Sequence, residues 1–242
     1  MILANVRTRL DRRDAQLVVR LLSRGRPDAQ ERAEGELADR GLDKLLDDPG
    51  LLRALVESRQ GAHASLPLFA YVLVRHALRE AGEDDRTIAD YLAAIVMEFG
   101  LRDRATRVAT SDDEVYTTLV DLLGAAESSD PRRSFLVRTH LGNYALWLSG
   151  LFSDHVEQRR WRRGGPDVDY YEELGRRAFR LAAEHRLAAE HGMVALYAAL
   201  AERFSVLRVA LTRIGDTMLF PNHHTPERLM RQVRDQAQFR IG

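Results

Sequence analysis

Residues 138–152 read RTHLGNYALWLSGLF. Most of the stretch suits a protein interior, yet it holds Arg138, His140 and Asn143. On a helix, at about 100° per residue, it sorts into two sides. One arc gathers Leu136, Val137, His140, Leu141, Tyr144, Trp147, Leu148, Leu151 and Phe152. The other carries Arg138, Gly142, Ala145 and Ser149 at i, i+4, i+7 and i+11, with Phe135 and Leu146 nearby. Small residues in such a stripe let another backbone come close. A helix apolar on most sides is buried on most sides. The segment therefore predicts the central helix of an α-helical core, started by Asp130–Pro131.

The flanking sequence speaks the same language of caps and periodicity. Arg9 to Ser23 is amphipathic and stops at Gly25. Pro27 opens a polar helix ending at Gly41, and Pro49 opens another through Ser58. Ser65 caps a helix to Gly82. Asp84 or Asp85 caps TIADYLAAIVMEF, which stops at Gly100. Ser111 with Glu114 forms a capping box for a helix through Ala126. Ser153 caps a short basic helix through Arg163, and GGP at 164–166 breaks the chain. Asp169 caps a helix through Glu190, Gly192 separates it from a long helix reaching Met218, and Thr225–Pro226 starts the last one. Nothing alternates like a strand. The expected fold is all-α, a multi-helix bundle or irregular array of about ten helices. A polar N-terminal segment, 1–60, is expected at its periphery, and a main domain over 61–242 with its core at 131–220.

Tyr197, Leu200, Phe204, Leu207, Leu211, Ile214 and Met218 step alternately by three and four, an a/d seam. Tyr171, Leu174, Ala178, Leu181, His185 and Ala188 keep the same rhythm. The two predict an antiparallel hairpin turning near His191–Gly192, with a second copy of the chain as the alternative partner of the long seam. Within the first of these helices, YYEELGRRAF (170–179) resembles the first helix of a tetratricopeptide repeat. No second copy follows near the ~34-residue spacing such arrays need, so no repeat array is expected.

Composition narrows the function classes. Of 242 residues, 45% are hydrophobic and 30% charged, which is a folding composition. The 36 basic residues balance 36 acidic ones, without the basic excess of a dedicated nucleic-acid binder. No cysteine is present, which excludes disulfides, thiolate nucleophiles and cysteine-ligated metals. MILANVRTRLDRRD at the start has no apolar core and no small-residue cleavage site, so no signal peptide is read there. The longest apolar run, LPLFAYVLV at 66–74, is too short for a membrane span. A cytoplasmic location is the expectation. Lys44 is the sole lysine, so 35 of the basic residues are arginine, and arginine clusters carry less information in such a background.

His140 in an apolar arc needs a hydrogen-bond partner or accepts a depressed pKa. His185 is the natural residue to meet it, giving a candidate pocket of His140, Tyr144, Trp147 and His185. HExxH and Glu-x-x-His are absent. His185 and His191 would lie about 240° apart on one helix. No metal or cofactor is therefore predicted. RRWRR, from Arg159 and Arg160 through Trp161 to Arg162 and Arg163, is a candidate contact for an anionic partner, or simply a solvated helix end favoured by the macrodipole. Phosphate-loop, dinucleotide and nucleophile-elbow motifs are absent from the sequence. The leading expectation is a non-catalytic interaction or scaffold protein that self-associates or joins an assembly. A ligand-binding bundle around His140 and His185, or a nucleic-acid-associated protein using Arg159–Arg163, is the alternative.

Overall fold

The computed structural model describes residues 1–101, 105–108, 116, 119–127, 130–223 and 225–240. Among them are fourteen α-helices and no strand, so the fold is all-α. The capping box at Ser111–Glu114 lies outside the described residues. The chain divides into two compact units, one of residues 2–80 with 84–98, the other of 81–83 with 99–242 and Met1.

The N-terminal unit holds α1 (Arg12–Ser23), α2 (Pro27–Arg40), α3 (Leu42–Leu46), α4 (Leu51–Glu57), α5 (Leu66–Glu80) and most of α6 (Arg86–Gly100). Residue 60 falls in a 3-10 turn, Arg59–His63, inside this unit. Asp11 starts α1 through a reciprocal capping box with Asp14. α5 and α6 supply the core: Leu68, Tyr71, Val72, Val74, Leu78, Ile88, Tyr91, Leu92 and Ile95 are fully buried.

The C-terminal unit is organised by α8 (Pro131–Leu151). Asp130 accepts from the Arg132 amide at its start, and its residues are buried along nearly the whole length. α7 (Leu119–Ala126), α9 (Ser153–Arg163), α10 (Val168–Ala183) and α13 (Phe204–Ile214) pack on it, and α12 (Val194–Glu202) packs on α10. The small stripe explains the closeness. A Cβ on Gly142 would sit 2.8 Å from the Phe179 ring, and one on Gly150 2.7 Å from Leu211.

The two long helices expected after residue 169 are interrupted. α10 begins at Val168, capped by Asp167 rather than Asp169. It ends at Ala183, and His185 caps the short α11 (Arg186–Glu190), its Nδ1 accepting from the Leu187 amide at 3.2 Å. The seam helix breaks at Arg203, whose guanidinium reaches Glu83 at 2.9 Å. After α13 the backbone widens into a π turn, Gly215–Leu219, closed by the Phe220 amide on the Gly215 carbonyl at 2.8 Å. A Cβ at Gly215 would lie 2.6 Å from the Leu151 carbonyl oxygen, so glycine is what lets this turn lie against α8. The chain closes with α14 (Pro226–Arg240).

Candidate functional site

Tertiary packing gathers charge beneath α14. Asp154 comes from the first turn of α9, Asp216 from the π turn, Glu172 from α10 and Arg208 from α13. α14 delivers Arg228, Arg231, Gln232 and Asp235. Asp216 Oδ1 accepts from Arg228 at 2.7 Å and Arg231 at 2.8 Å, and Oδ2 from Gln232 at 2.9 Å. Asp154 accepts from Arg231 at 2.8 Å and pairs with Arg228 at 3.2 Å. Arg208 spans Glu172 at 2.5 Å and Asp235 at 3.1 Å. Arg228, Arg231, Arg208 and Asp235 are all buried, Arg231 with 1% of its surface exposed.

The charges are mutually stabilised. Burial pushes Asp216 up, but hydrogen bonds from Arg231 and Gln232 outweigh it and hold the carboxyl below its ordinary value. Burial opposes Glu172 in the same way, and Arg208, Ser205 and Arg176 hold it down. Arg231 is raised despite burial by its bonds to Asp216 and Asp154. The network is not saturated: Arg208 Nη1 and Arg231 Nε and Nη1 are buried without a hydrogen-bond partner.

Among the described side chains on the opposite face of α14, three are apolar and in solvent. Leu229, Met230 and Val233 are 59%, 72% and 65% exposed. At about 100° per residue they form one arc, and Arg228, Arg231 and Asp235 form the opposite one. The helix thus inverts the usual amphipathy of a surface helix. Leu219 and Phe220, just upstream, are exposed as well. Beside them a groove of about 580 Å³ runs along the π turn and the start of α9, with Phe152, Leu219 and Phe220 as apolar wall and His155 and His223 at its rim. His223 Nδ1 lies 3.1 Å from Asp154 Oδ2.

Three residues of the expected pocket do come together. Phe99 packs on His140 at 5.3 Å and on Trp147 at 5.6 Å between ring centroids, and Tyr144 is 6.4 Å from His140 and 6.2 Å from Trp147. His140 Nε2 meets the Ala105 carbonyl at 3.0 Å, which gives the buried imidazole a backbone partner. Burial raises the Tyr144 hydroxyl, with Arg159 partly opposing. His185 answers to a different string of rings: it stacks on Phe135 at 5.1 Å, which leads through Tyr197 to Phe179 and Phe204. No group of three His, Asp or Glu side chains placed to hold a metal ion occurs among the described residues. In the seam, Tyr197, Leu200, Phe204, Leu207, Leu211 and Ile214 are buried within the chain's own C-terminal unit, and Met218 is half-buried in the π turn. Arg159, Arg160, Trp161, Arg162 and Arg163 are all exposed at the end of α9, Trp161 at 72%. Arg160 pairs with Asp167 at 3.6 Å.

Sequence reasoning missed the ion network. Its members lie far apart in the chain and each reads as an ordinary surface charge. The one available signal was in α14 itself, where the apolar and charged arcs are equally well defined and only the assumption that apolar means inward hid the alternative. Asp47 is a parallel case. Lying just before the helix start expected at Pro49, it anchors Arg75 at 2.7 Å and Arg86, while its neighbour Asp48 binds the Gly50 amide at 2.8 Å.

No known protein family, curated protein or solved structure matches this chain.

Proposed function

We propose that this chain is a non-catalytic helical interaction protein whose docking surface is the outer face of α14. The single observation behind the reading is the inverted helix: Arg228, Arg231 and Asp235 inward, Leu229, Met230 and Val233 outward. Stability alone favours the reverse. Buried ion networks do little better than break even against their desolvation, whereas burying a Leu, Met or Val side chain is worth about 1.5–3 kcal/mol. Turning α14 half a revolution would bury the apolar arc. A fold that forgoes this gain keeps an apolar patch for another molecule, the usual meaning of such a patch rimmed by polar residues. The network beneath fixes which way the patch faces.

The test replaces all three outer residues, Leu229→Ser, Met230→Ser and Val233→Ser, and follows thermal unfolding. These side chains already stand in water, so stability should change by no more than about 0.5 kcal/mol per site. A loss beyond about 3 kcal/mol in total would mean the face serves the chain's own fold, and the reading would fall.

A further inference from the structure

We infer a second binding surface, independent of α14: the outward face of α9 takes a single-stranded nucleic acid, with arginines on its phosphates and Trp161 stacked on a base. Ser153, Val156 and Glu157 turn α9 inward, and all three are buried. The face left outside carries His155, Gln158, Arg159, Trp161, Arg162 and Arg163, every one exposed. At about 100° per residue, Arg162 stands near the middle of that arc, Trp161 at one edge and Arg159 and Arg163 at the other. The face holds no carboxylate. Both acids of α9 are taken up beneath it: Glu157 is buried, and Asp154 accepts from Arg231 at 2.8 Å. The charge that balances over the whole chain is therefore of one sign here.

Two observations separate this face from an ordinary solvated helix end. The first is Trp161, left 72% exposed although burying an aromatic ring is among the largest single gains a side chain offers. Arg160 lies over its ring at 5.9 Å and pairs with Asp167 at 3.6 Å, so the indole is braced at the surface. The macrodipole accounts for arginines at a helix end, and not for an indole. The second is that Arg159, Arg162 and Arg163 make no ion pair among the described residues, so three guanidinium groups beside the ring are uncommitted.

Together these features select the partner. Guanidinium forks suit phosphate oxygens. An exposed ring suits an unpaired base, because every base has a π face. A duplex has its bases already stacked and gives the indole nothing. A bilayer needs an apolar helix face to insert, and α9 keeps Val156 in the core. An acidic protein would engage the arginines and leave the indole without a matched partner.

The experiment follows the fluorescence anisotropy of a labelled thymidine strand about 15 nucleotides long, within the usual range of site sizes. Binding should be modest, with Kd between about 1 and 100 µM near physiological salt. Three phosphate contacts on a single strand should make it roughly twentyfold weaker between about 50 and 200 mM salt. Arg159→Ser, Arg162→Ser and Arg163→Ser together should flatten that dependence. Trp161→Ala should weaken binding about fivefold or more. An abasic strand of equal length keeps the phosphates and lacks the bases. The unaltered chain should prefer the thymidine strand to it by that same factor, and Trp161→Ala should bind both alike. All four altered side chains are exposed, so circular dichroism should show the fold retained. No binding at about 50 mM salt, equal binding of thymidine and abasic strands by the unaltered chain, or a duplex bound as tightly as the single strand overturns the proposal. So does capture by phosphatidylcholine vesicles with about one-third phosphatidylserine in place of the strand, which would make the face a membrane contact. None of these outcomes bears on the stability test of α14.

Discussion

Among the described residues, two arginine-centred ion networks, one in each unit, are buried and used differently. In the N-terminal unit, Arg75 on α5 binds Asp47 and Asp84, and Arg86 also reaches Asp47. α5 does not depend on them alone, because Leu68, Tyr71, Val72, Val74 and Leu78 of the same helix are fully buried. In the C-terminal unit the buried side chains described on α14 are Arg228, Arg231 and Asp235. Among the described side chains, the same chemistry supplements buried hydrophobics on α5 and stands in their place on α14. A buried ion network specifies orientation better than it adds stability, and orientation is what an inverted helix needs.

The most damaging way to probe the contrast is to remove one arginine from each network. Arg75→Met and Arg231→Met should each cost up to about 3–5 kcal/mol, since a buried carboxylate loses one of its cationic partners. They should differ in reach. Hydrogen exchange should show Arg231→Met freeing residues 226–240 while α8, α10 and α13 keep their protection. Arg75→Met should lower protection across α5 and α6 together. If α14 stays protected without Arg231, something other than the network holds it, and the contrast collapses.

A smaller effect is expected at the hinge of the network. Gly215→Ala puts a Cβ 2.6 Å from the Leu151 carbonyl oxygen, a backbone atom that cannot swing aside. The π turn should shift, at a cost of about 1–3 kcal/mol, and move Asp216 away from Arg228 and Arg231. Exchange of the Gln232 region should rise more than that of α13. Equal increases in both would mean the turn supports the core and not α14.

These comparisons also show where sequence reading reaches. The central helix was legible because Asp130–Pro131 marks its start and its apolar and small residues repeat around it. His140, Tyr144 and Trp147 were legible as neighbours because they share one helix. His185 was not, since the heptad rhythm runs unbroken through the place where α10 stops, and spacing alone cannot reveal a cap. The Arg203 break stayed hidden for the same reason: both halves of the seam stay buried, so the period survives the interruption. The network was illegible because Asp154, Glu172, Arg208, Asp216 and Arg231 are brought together by packing alone. Asp112–Asp113, inside the capping box expected at Ser111–Glu114, lies outside the described residues.

Acid separates the two networks most gently. Glu172 and Asp216 have folded-state pKa values below their ordinary ones, burial notwithstanding. A depressed carboxylate contributes stability above its unfolded pKa, and that stability disappears as pH falls through the folded value, here below about pH 4. In the N-terminal unit Asp47 behaves alike, with Arg75 and Arg86 overriding burial. Asp90 there has the opposite sign. Burial raises its pKa and the Arg7 backbone bond only partly opposes this. The folded state therefore takes up that proton first, and stability rises as pH falls across the interval between the two values. One unit gains a partial offset that Glu172 and Asp216 do not share. Both tryptophans, Trp147 and Trp161, belong to the C-terminal unit, so their fluorescence reports that unit, while far-ultraviolet circular dichroism reports every helix. On acidification the fluorescence change should precede the loss of total helix by roughly half a pH unit. Asp90→Asn removes the offset and should bring the two transitions together. If they already coincide in the unaltered chain, the opposite signs at Asp90 and Asp216 do not govern acid stability.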